Sequence, residues 1–380
     1  MRLEFVKQAL NADSNMSLLC KRYGISRKTG YKWLKRYESI GLSGLDDQSR
    51  KPHHLVNLPS EALTQQVLSL KDQYPYWGAR KLHALLQSQG ISGLPISGIH
   101  RLLERTGRVT KRGKNKSSYL RYEHEHPNDL WQMDFKGHIP YGSGRCHPLT
   151  IIDDYSRFLV ALKASPNEKG QTIRPWLIES FRRYGLPCRI NVDNGAPWGS
   201  LYECARYTTF SLWLIDHGVR VSYSRPRHPQ TNGKDERLHR TLKEELLSYQ
   251  SFISLQAAQK AFDQWREQYN CIRPHHALDY KTPNTRYRPS EREYSEQVKE
   301  YEYAEDYVLF KVDTRGRIRV QNRMIFVGIP FSGRYIGTRK TDHEHQIDIY
   351  YRQQKIGHAC LDQIPKNGMI NLYNKRLLVT

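Results

Sequence analysis

Three textures of apolar spacing follow one another along the 380-residue chain. The first is helical. Ser17 to Gly24 reads as a short amphipathic helix with Leu18, Leu19 and Tyr23 on adjoining turns, and Gly24 supplies a permissive turn. Ser26 then stands as N-cap to a basic helix whose apolar positions include Tyr31, Trp33, Leu34 and Tyr37. Helix, glycine turn and capped basic helix form the helix-turn-helix pattern, expected here over residues 1–50. A second helical unit is expected over 60–107: Leu63, Val67 and Leu70 keep helical spacing, a helix opens near Gly78 with Leu82, Leu85 and Leu86 inside, and Ser97 caps a last helix that ends at Gly107. The segments 41–59 and 108–127 lack periodicity; the first reads as a linker and the second as a basic linker, an arm able to lie along phosphates.

The second texture alternates strand and helix over 128–288. WQMDFKG, LTIIDDYSRFLVALKA, CRINVDNG and VRVSYSRP carry strands, while 172–184, 201–217 and 233–248 are helix-like. Such alternation predicts an α/β domain around a mixed sheet. The third texture, 305–380, consists of short β-rich runs broken by Gly, Asp and His, as expected of a small all-β barrel or sandwich.

Charge gives this layout a partner. Sixty Lys and Arg against 38 Asp and Glu leave a net +22 and a pI of about 9.7, the footprint of a protein that meets a polyanion. In the N-terminal unit the early residues of the second helix would reach base edges in the major groove, which makes Arg27, Lys28, Lys32 and Lys35 the candidate DNA contacts. A helical hairpin with a solvated basic face is the plain alternative. The six cysteines are scattered without a CxxC pair, which argues against a disulfide framework and a structural zinc site. No stretch approaches the roughly 18 apolar residues of a spanning helix, and the N-terminus lacks a signal-peptide core. The expectation is a cytoplasmic, nucleoid-associated protein without a membrane partner.

Three acids stand out by their settings. Asp134 lies within a strand flanked by Trp131, Met133 and Phe135; Asp193 follows the strand RINV and precedes an Asn-Gly turn; Glu236 opens a helix after the loop HPQTNG. Carboxylates at strand ends and on a packed helix can converge, and convergence in a partly dry place demands a cation. Hard oxygen ligands suit Mg²⁺ or Mn²⁺, and two such ions about 4 Å apart can serve a phosphoryl displacement. Taken singly, each acid has an ordinary reading as a turn Asp or an N-terminal helix Glu. Asp153 and Asp154 read as turn residues, and His228 and His239 as backbone or phosphate contacts. Arg240 and Lys243, four and seven positions beyond Glu236 on one helical face, are placed to grip DNA.

WQMDFKG, VDNGAPWG and HPQTNGKDERLHRTLKEEL, in that order, resemble the three signature blocks of DDE transposases with a retroviral-integrase core, of the kind encoded by bacterial insertion sequences. LTIIDDYSRF, YPYWGARKL and the tandem helix-turn-helix units extend the resemblance over about residues 1–290. It implies an RNase H-like catalytic core in which Asp134, Asp193 and Glu236 are the catalytic acids and hold two divalent metal ions. It implies, too, binding of terminal inverted repeats and target DNA as a homo-oligomer, with metal-dependent DNA cleavage and strand transfer. Two departures stand out. Forty-two residues separate Asp193 from Glu236, more than in retroviral integrases, and Asp235 sits beside Glu236, which holds the family position. The alternative reading is a non-catalytic, sequence-specific DNA-binding regulator derived from a transposase; it would not need all three blocks.

Overall fold

The computed structural model describes residues 1–47, 59–109, 123–142, 144–199, 206–224, 233–343, 345–373 and 377–378, and the chain divides into units Met1–Ser60 and Glu61–Thr380. Most of the basic arm expected over 108–127 and much of the 41–59 segment lie outside the described residues, as does His228.

The first unit is built from α1 (Arg2–Ala9), α2 (Met16–Arg22) and α3 (Arg27–Ile40), closed by a 3-10 turn over Gly41–Leu45. Asn15 caps α2, its side chain accepting from the amides of Ser17 and Leu18, and the Ser26 hydroxyl accepts from the Thr29 amide at 3.2 Å. Phe5, Val6, Cys20 and Leu45 form the core, with Tyr23 and Trp33 edge-on to Phe5 at 5.4 and 5.6 Å. Gly30 faces this core: a Cβ there would meet the Cys20 sulfur at 2.7 Å and the Phe5 ring at 2.8 Å. The close seat of α3 therefore requires glycine. Leu18 and Tyr31, which helical spacing assigns to apolar faces, stand in solvent instead.

The second unit begins with α4 (Glu61–Gln73), α5 (Ala79–Ser88) and α6 (Ile96–Arg105), packed around Val67, Trp77, Leu82, Leu86, Ile99 and Leu103. The N-cap of α6 is Pro95 and no side chain closes it, so Ser97 lies inside the first turn and not before it. The α/β core follows as β1 (Trp131–Phe135), β2 (Ile139–Tyr141), β3 (Gly144–Asp153), β4 (Leu159–Ser165), α7 (Gly170–Tyr184), β5 (Arg189–Val192), α8 (Thr209–Asp216), β6 (Arg220–Tyr223), α9 (Gly233–Leu242) and α10 (Leu255–Glu267). Across the sheet, β4, β3 and β1 run antiparallel, and β1, β5 and β6 run parallel; β2 pairs with the start of β3. One face carries α7 and α8 through Ile173, Leu177, Phe181, Leu212 and Ile215. On the other, α9 and α10 bury Leu238, Leu242, Phe262 and Trp265 against Ile152, Leu159 and Leu162. This is the RNase H-like arrangement the resemblance implies. Tyr76 packs on Tyr249 at 4.8 Å, and Lys81 pairs with Glu245 at 3.7 Å, joining the α4–α6 helices to the core.

The chain ends in two four-stranded sheets, built from β7 (Val308–Lys311), β8 (Arg317–Val320), β9 (Arg323–Phe326), β10 (Tyr335–Lys340), β11 (Gln346–Tyr351), β12 (Gln354–Cys360), β13 (Met369–Asn371) and β14 (Leu377–Leu378). Their orders are β12–β11–β10–β7 and β14–β13–β9–β8. These sheets share one continuous apolar core with α8 and β6. Tyr207 meets Phe331 edge-on at 5.7 Å, and Asp216 at the end of α8 accepts from Arg334, Tyr351 and Arg352.

Candidate active site

β1 enters the core with Trp131 and Met133 fully buried and delivers Asp134, half-buried, directly opposite Thr150 on β3. On its other side β1 runs parallel to β5 in the register Trp131–Ile190 and Gln132–Asn191. Continuing that register brings Asp134 level with Asp193, the first residue beyond β5. The Phe135 amide donates to Asp134 Oδ1 at 2.8 Å, and the Gly195 amide to Asp193 Oδ1 at 3.2 Å.

The helix α9 presents two faces. Asp235, Leu238 and Leu242 are buried and half-buried His239 turns the same way, whereas Glu236, Arg240 and Lys243 are exposed. The neighbouring acids at 235 and 236, about 100° apart around the helix, are thereby separated: Glu236 looks outward and Asp235 into the protein. Asp235 Oδ1 accepts from the Thr150 hydroxyl at 3.1 Å, which also lies 2.8 Å from His239 Nε2, while Asp235 Oδ2 has no partner among the described residues. His239 thus turns inward, away from the phosphate contact expected of it. Burial first, then Lys136, pushes its imidazole down to about 4 and keeps it neutral.

Electrostatics bind the acids together. Burial, then Asp193, lifts the Asp134 carboxyl to about 7; the Phe135 amide opposes the rise, while Glu168 and Glu236 add to it. Asp193 is raised by burial against the Gly195 amide, again with Glu168 contributing. Asp235 is held well above the carboxylate range by burial and then by Asp134. The donor set of Asp134, Asp193 and Glu236 is all hard oxygen, and its mutual repulsion is what a divalent cation would relieve. Among the described residues, no three His, Cys, Asp or Glu side chains already stand at metal-ligand spacing.

Glu168 and Lys136 went unnoticed in the sequence. Glu168 follows β4 and pairs with His147 Nδ1 at 2.7 Å; Lys136, just past β1, is close enough to Lys243 for the two to repel. Neither belongs to a periodic pattern, and only strand ends could have pointed to them. Asp153 closes β3 and Asp154 stands in the turn that follows it, and both are nearly inaccessible. Asp153 accepts from the amides of Asn128 and Ser156; Asp154 accepts from the His124 amide and Gln132 Nε2 and pairs with Lys234. The proposed base readers Arg27, Lys28, Lys32 and Lys35 are all exposed on α3.

Parts of the chain match known protein domains. Residues 124–229 and 217–283 match integrase core domains, residues 1–53 a helix-turn-helix domain and residues 29–103 a homeodomain-like domain. The chain is 27% identical over 260 residues, 67% of its length and 73% of the relative's, to an uncharacterized 39.2 kDa protein of insertion element IS476 from Xanthomonas euvesicatoria. It is 25% identical over 252 residues, 64% of its length and 86% of the relative's, to an uncharacterized 31.7 kDa protein of insertion element IS407 from Burkholderia multivorans. A transposase for insertion sequence element IS904 from Lactococcus lactis is 30% identical over 160 residues, 41% of this chain and 60% of that protein. Among the described residues no helix is long and apolar enough to cross a membrane. The domain matches and the insertion-element relatives together support a transposase of insertion-sequence type with a retroviral-integrase-like core.

Proposed function

We propose that the protein cuts DNA at the ends of its element and joins those ends to target DNA, with Asp134, Asp193 and Glu236 holding two Mg²⁺ or Mn²⁺ ions. The observation that carries this reading is Asp134 on β1 standing level with Asp193, just beyond the adjacent parallel strand β5, where burial first, and then Asp193, Glu168 and Glu236, raise the Asp134 carboxyl to about 7. A divalent cation would relieve this electrostatic cost, and strongly perturbed carboxyls mark functional-site candidates. When bound, the ions would make an attacking oxygen more nucleophilic and offset charge on the leaving oxygen. The protein's own part is placement. The amides of Phe135 and Gly195 orient the two strand-end carboxylates. Thr150 takes up inward Asp235, which leaves Glu236 as the accessible acid of α9. Arg240, Lys243 and Lys136 border the acids with positive charge suited to a DNA backbone. The exposed basic residues of α3 read the terminal repeats, and the C-terminal sheets add general DNA affinity. A DNA-bound multimer follows from the task, since one acid triad serves one end and an element has two.

Incubation of the purified chain with Mg²⁺ and DNA carrying its element ends should give nicked and joined products, lost in Asp134→Asn. Sequence-specific binding with no metal-dependent cleavage by the intact chain would favour the regulator instead.

A further inference from the structure

Lys234 opens α9 two residues before Glu236, inside the basic run GKDER. Its surroundings contradict the surface role such a lysine invites. Two helical steps turn it about 200° from Glu236, and four steps place it over buried Leu238, on the inward face. Only 17% of its side chain is accessible, and its ammonium pairs with Asp154, whose side chain is 2% accessible. Asp154 is itself held at two further points, by Gln132 Nε2 at 2.8 Å and by the His124 amide at 3.0 Å. Gln132 lies two positions before Asp134 on β1, so one carboxylate ties the strand that carries Asp134 to the helix that carries Glu236. Close by, Glu123 pairs with Arg157 and Arg286 at 3.7 and 3.3 Å, completing a charged layer beneath the helix start.

We infer that Lys234 is a positioning residue: its ion pair with Asp154 fixes the first turn of α9 against β1 and thereby sets where Glu236 stands relative to Asp134. The need for such a fastening follows from what else holds α9. Leu238 and Leu242 anchor its later turns in the apolar core through contacts that are non-directional and tolerate sliding and rotation, and Asp235 and His239 add hydrogen bonds to Thr150 on β3. A carboxylate that must meet a metal ion tolerates about 0.5 Å. A buried charge pair with fixed partners adds a directional hold at the helix start, through Asp154 to Gln132 of β1, in the way that groups behind metal ligands orient them. The inference rests on the reading of Glu236 as a metal ligand, and its test separates the two.

Full-length wild type, Lys234→Met, Asp154→Asn, the double variant and Lys234→Arg are compared in three assays. Hydrogen exchange of the amides of 233–240 is followed without metal, affinity for element-end DNA is measured without metal, and cleavage is titrated with Mg²⁺. Each single variant should exchange faster in α9 and need about 10-fold more Mg²⁺ for half-maximal cleavage, with DNA affinity within about twofold of wild type. The double variant should lose no more than the larger single loss, because both substitutions remove the Lys234–Asp154 pair, and Lys234→Arg should recover most of the loss of Lys234→Met. Unchanged exchange, additive losses, or weaker DNA binding with an unmoved Mg²⁺ requirement would each overturn the inference, the last by making Lys234 a DNA contact. If the wild-type chain shows no metal-dependent cleavage, the proposed function fails, while exchange and the double variant still judge the clamp. Should Lys234→Met not fold, Lys234→Gln carries the same comparison.

Discussion

The first helical unit and the catalytic part solve opposite problems. Met1–Ser60 has a core of four buried apolar side chains and turns a row of basic residues outward. In the catalytic part, the mixed sheet, α8 and the C-terminal sheets share one continuous core, with Asp216 clamped by Arg334, Tyr351 and Arg352. If α3 reads DNA, as proposed, it needs only to present side chains, and a small scaffold does that. A site that holds mutually repelling carboxylates in place needs rigidity on every side. The difference teaches that presenting charge asks less of a fold than confining it.

The sharpest break in that comparison comes at the acids. Asp134→Asn, Asp193→Asn and Glu236→Gln should each lower cleavage by at least about 10³-fold, roughly 4 kcal/mol of barrier, while binding of element-end DNA stays intact in gel-shift assays. Full activity in any one of them would remove that residue from the site.

Losing the other region should do something different. Removal of residues 1–60 should abolish end-specific protection in footprinting yet leave salt-sensitive affinity for any DNA, since the remaining chain stays rich in Lys and Arg. Thermal melting of the remainder should not shift. Asp216→Ala, by contrast, should cost about 3 kcal/mol, the low end for a broken buried pair because Arg334 keeps access to water. Chemical denaturation would read this as a lower midpoint, and cleavage should fall with it if the C-terminal sheets brace the catalytic part.

pH sharpens the contrast within the catalytic part. The Asp134 carboxyl sits at about 7 in the fold and about 3.9 unfolded. Because the folded value is raised, its contribution to stability is complete below about pH 4 and is lost as pH rises through about 7. Metal-free protein should therefore melt lower at about pH 8 than at about pH 5. Asp134→Asn should flatten that slope, and Mg²⁺ should restore the loss at the higher pH. The smallest effects belong to α3: Arg27→Ala or Lys28→Ala should cost about 1–3 kcal/mol of end binding if it reads a base, with relaxed preference at one position. Competition assays with single-base variants of the end would show it.

What the sequence revealed divides along the same line. The Ser26 cap, the Gly24 turn and the strand-end settings of Asp134 and Asp193 are local signals, and the described structure places them where those signals point. Ser97 misled because Pro95, two residues earlier, already begins the helix. The turn at Asp154 was legible, but the burial of Asp153 and Asp154 was not, for a deeper reason. Two adjacent acids before a Tyr-Ser turn have the chemistry of a solvated loop, and only chain segments far away, at 123–128 and at Lys234, bury them. Glu168 and the inward turn of His239 are likewise products of tertiary contacts, with no periodicity to announce them.

Gly30 carries a consequence for how such a protein changes over generations. Because the space behind it is filled by Cys20 and Phe5, α3 has little freedom to vary at that position, and changes fall more freely on its exposed residues, Arg27, Lys28, Lys32 and Lys35 among them. If these residues read element ends, as proposed, ends that drift would be followed one surface substitution at a time, with the vocabulary rewritten while the page it is printed on stays the same.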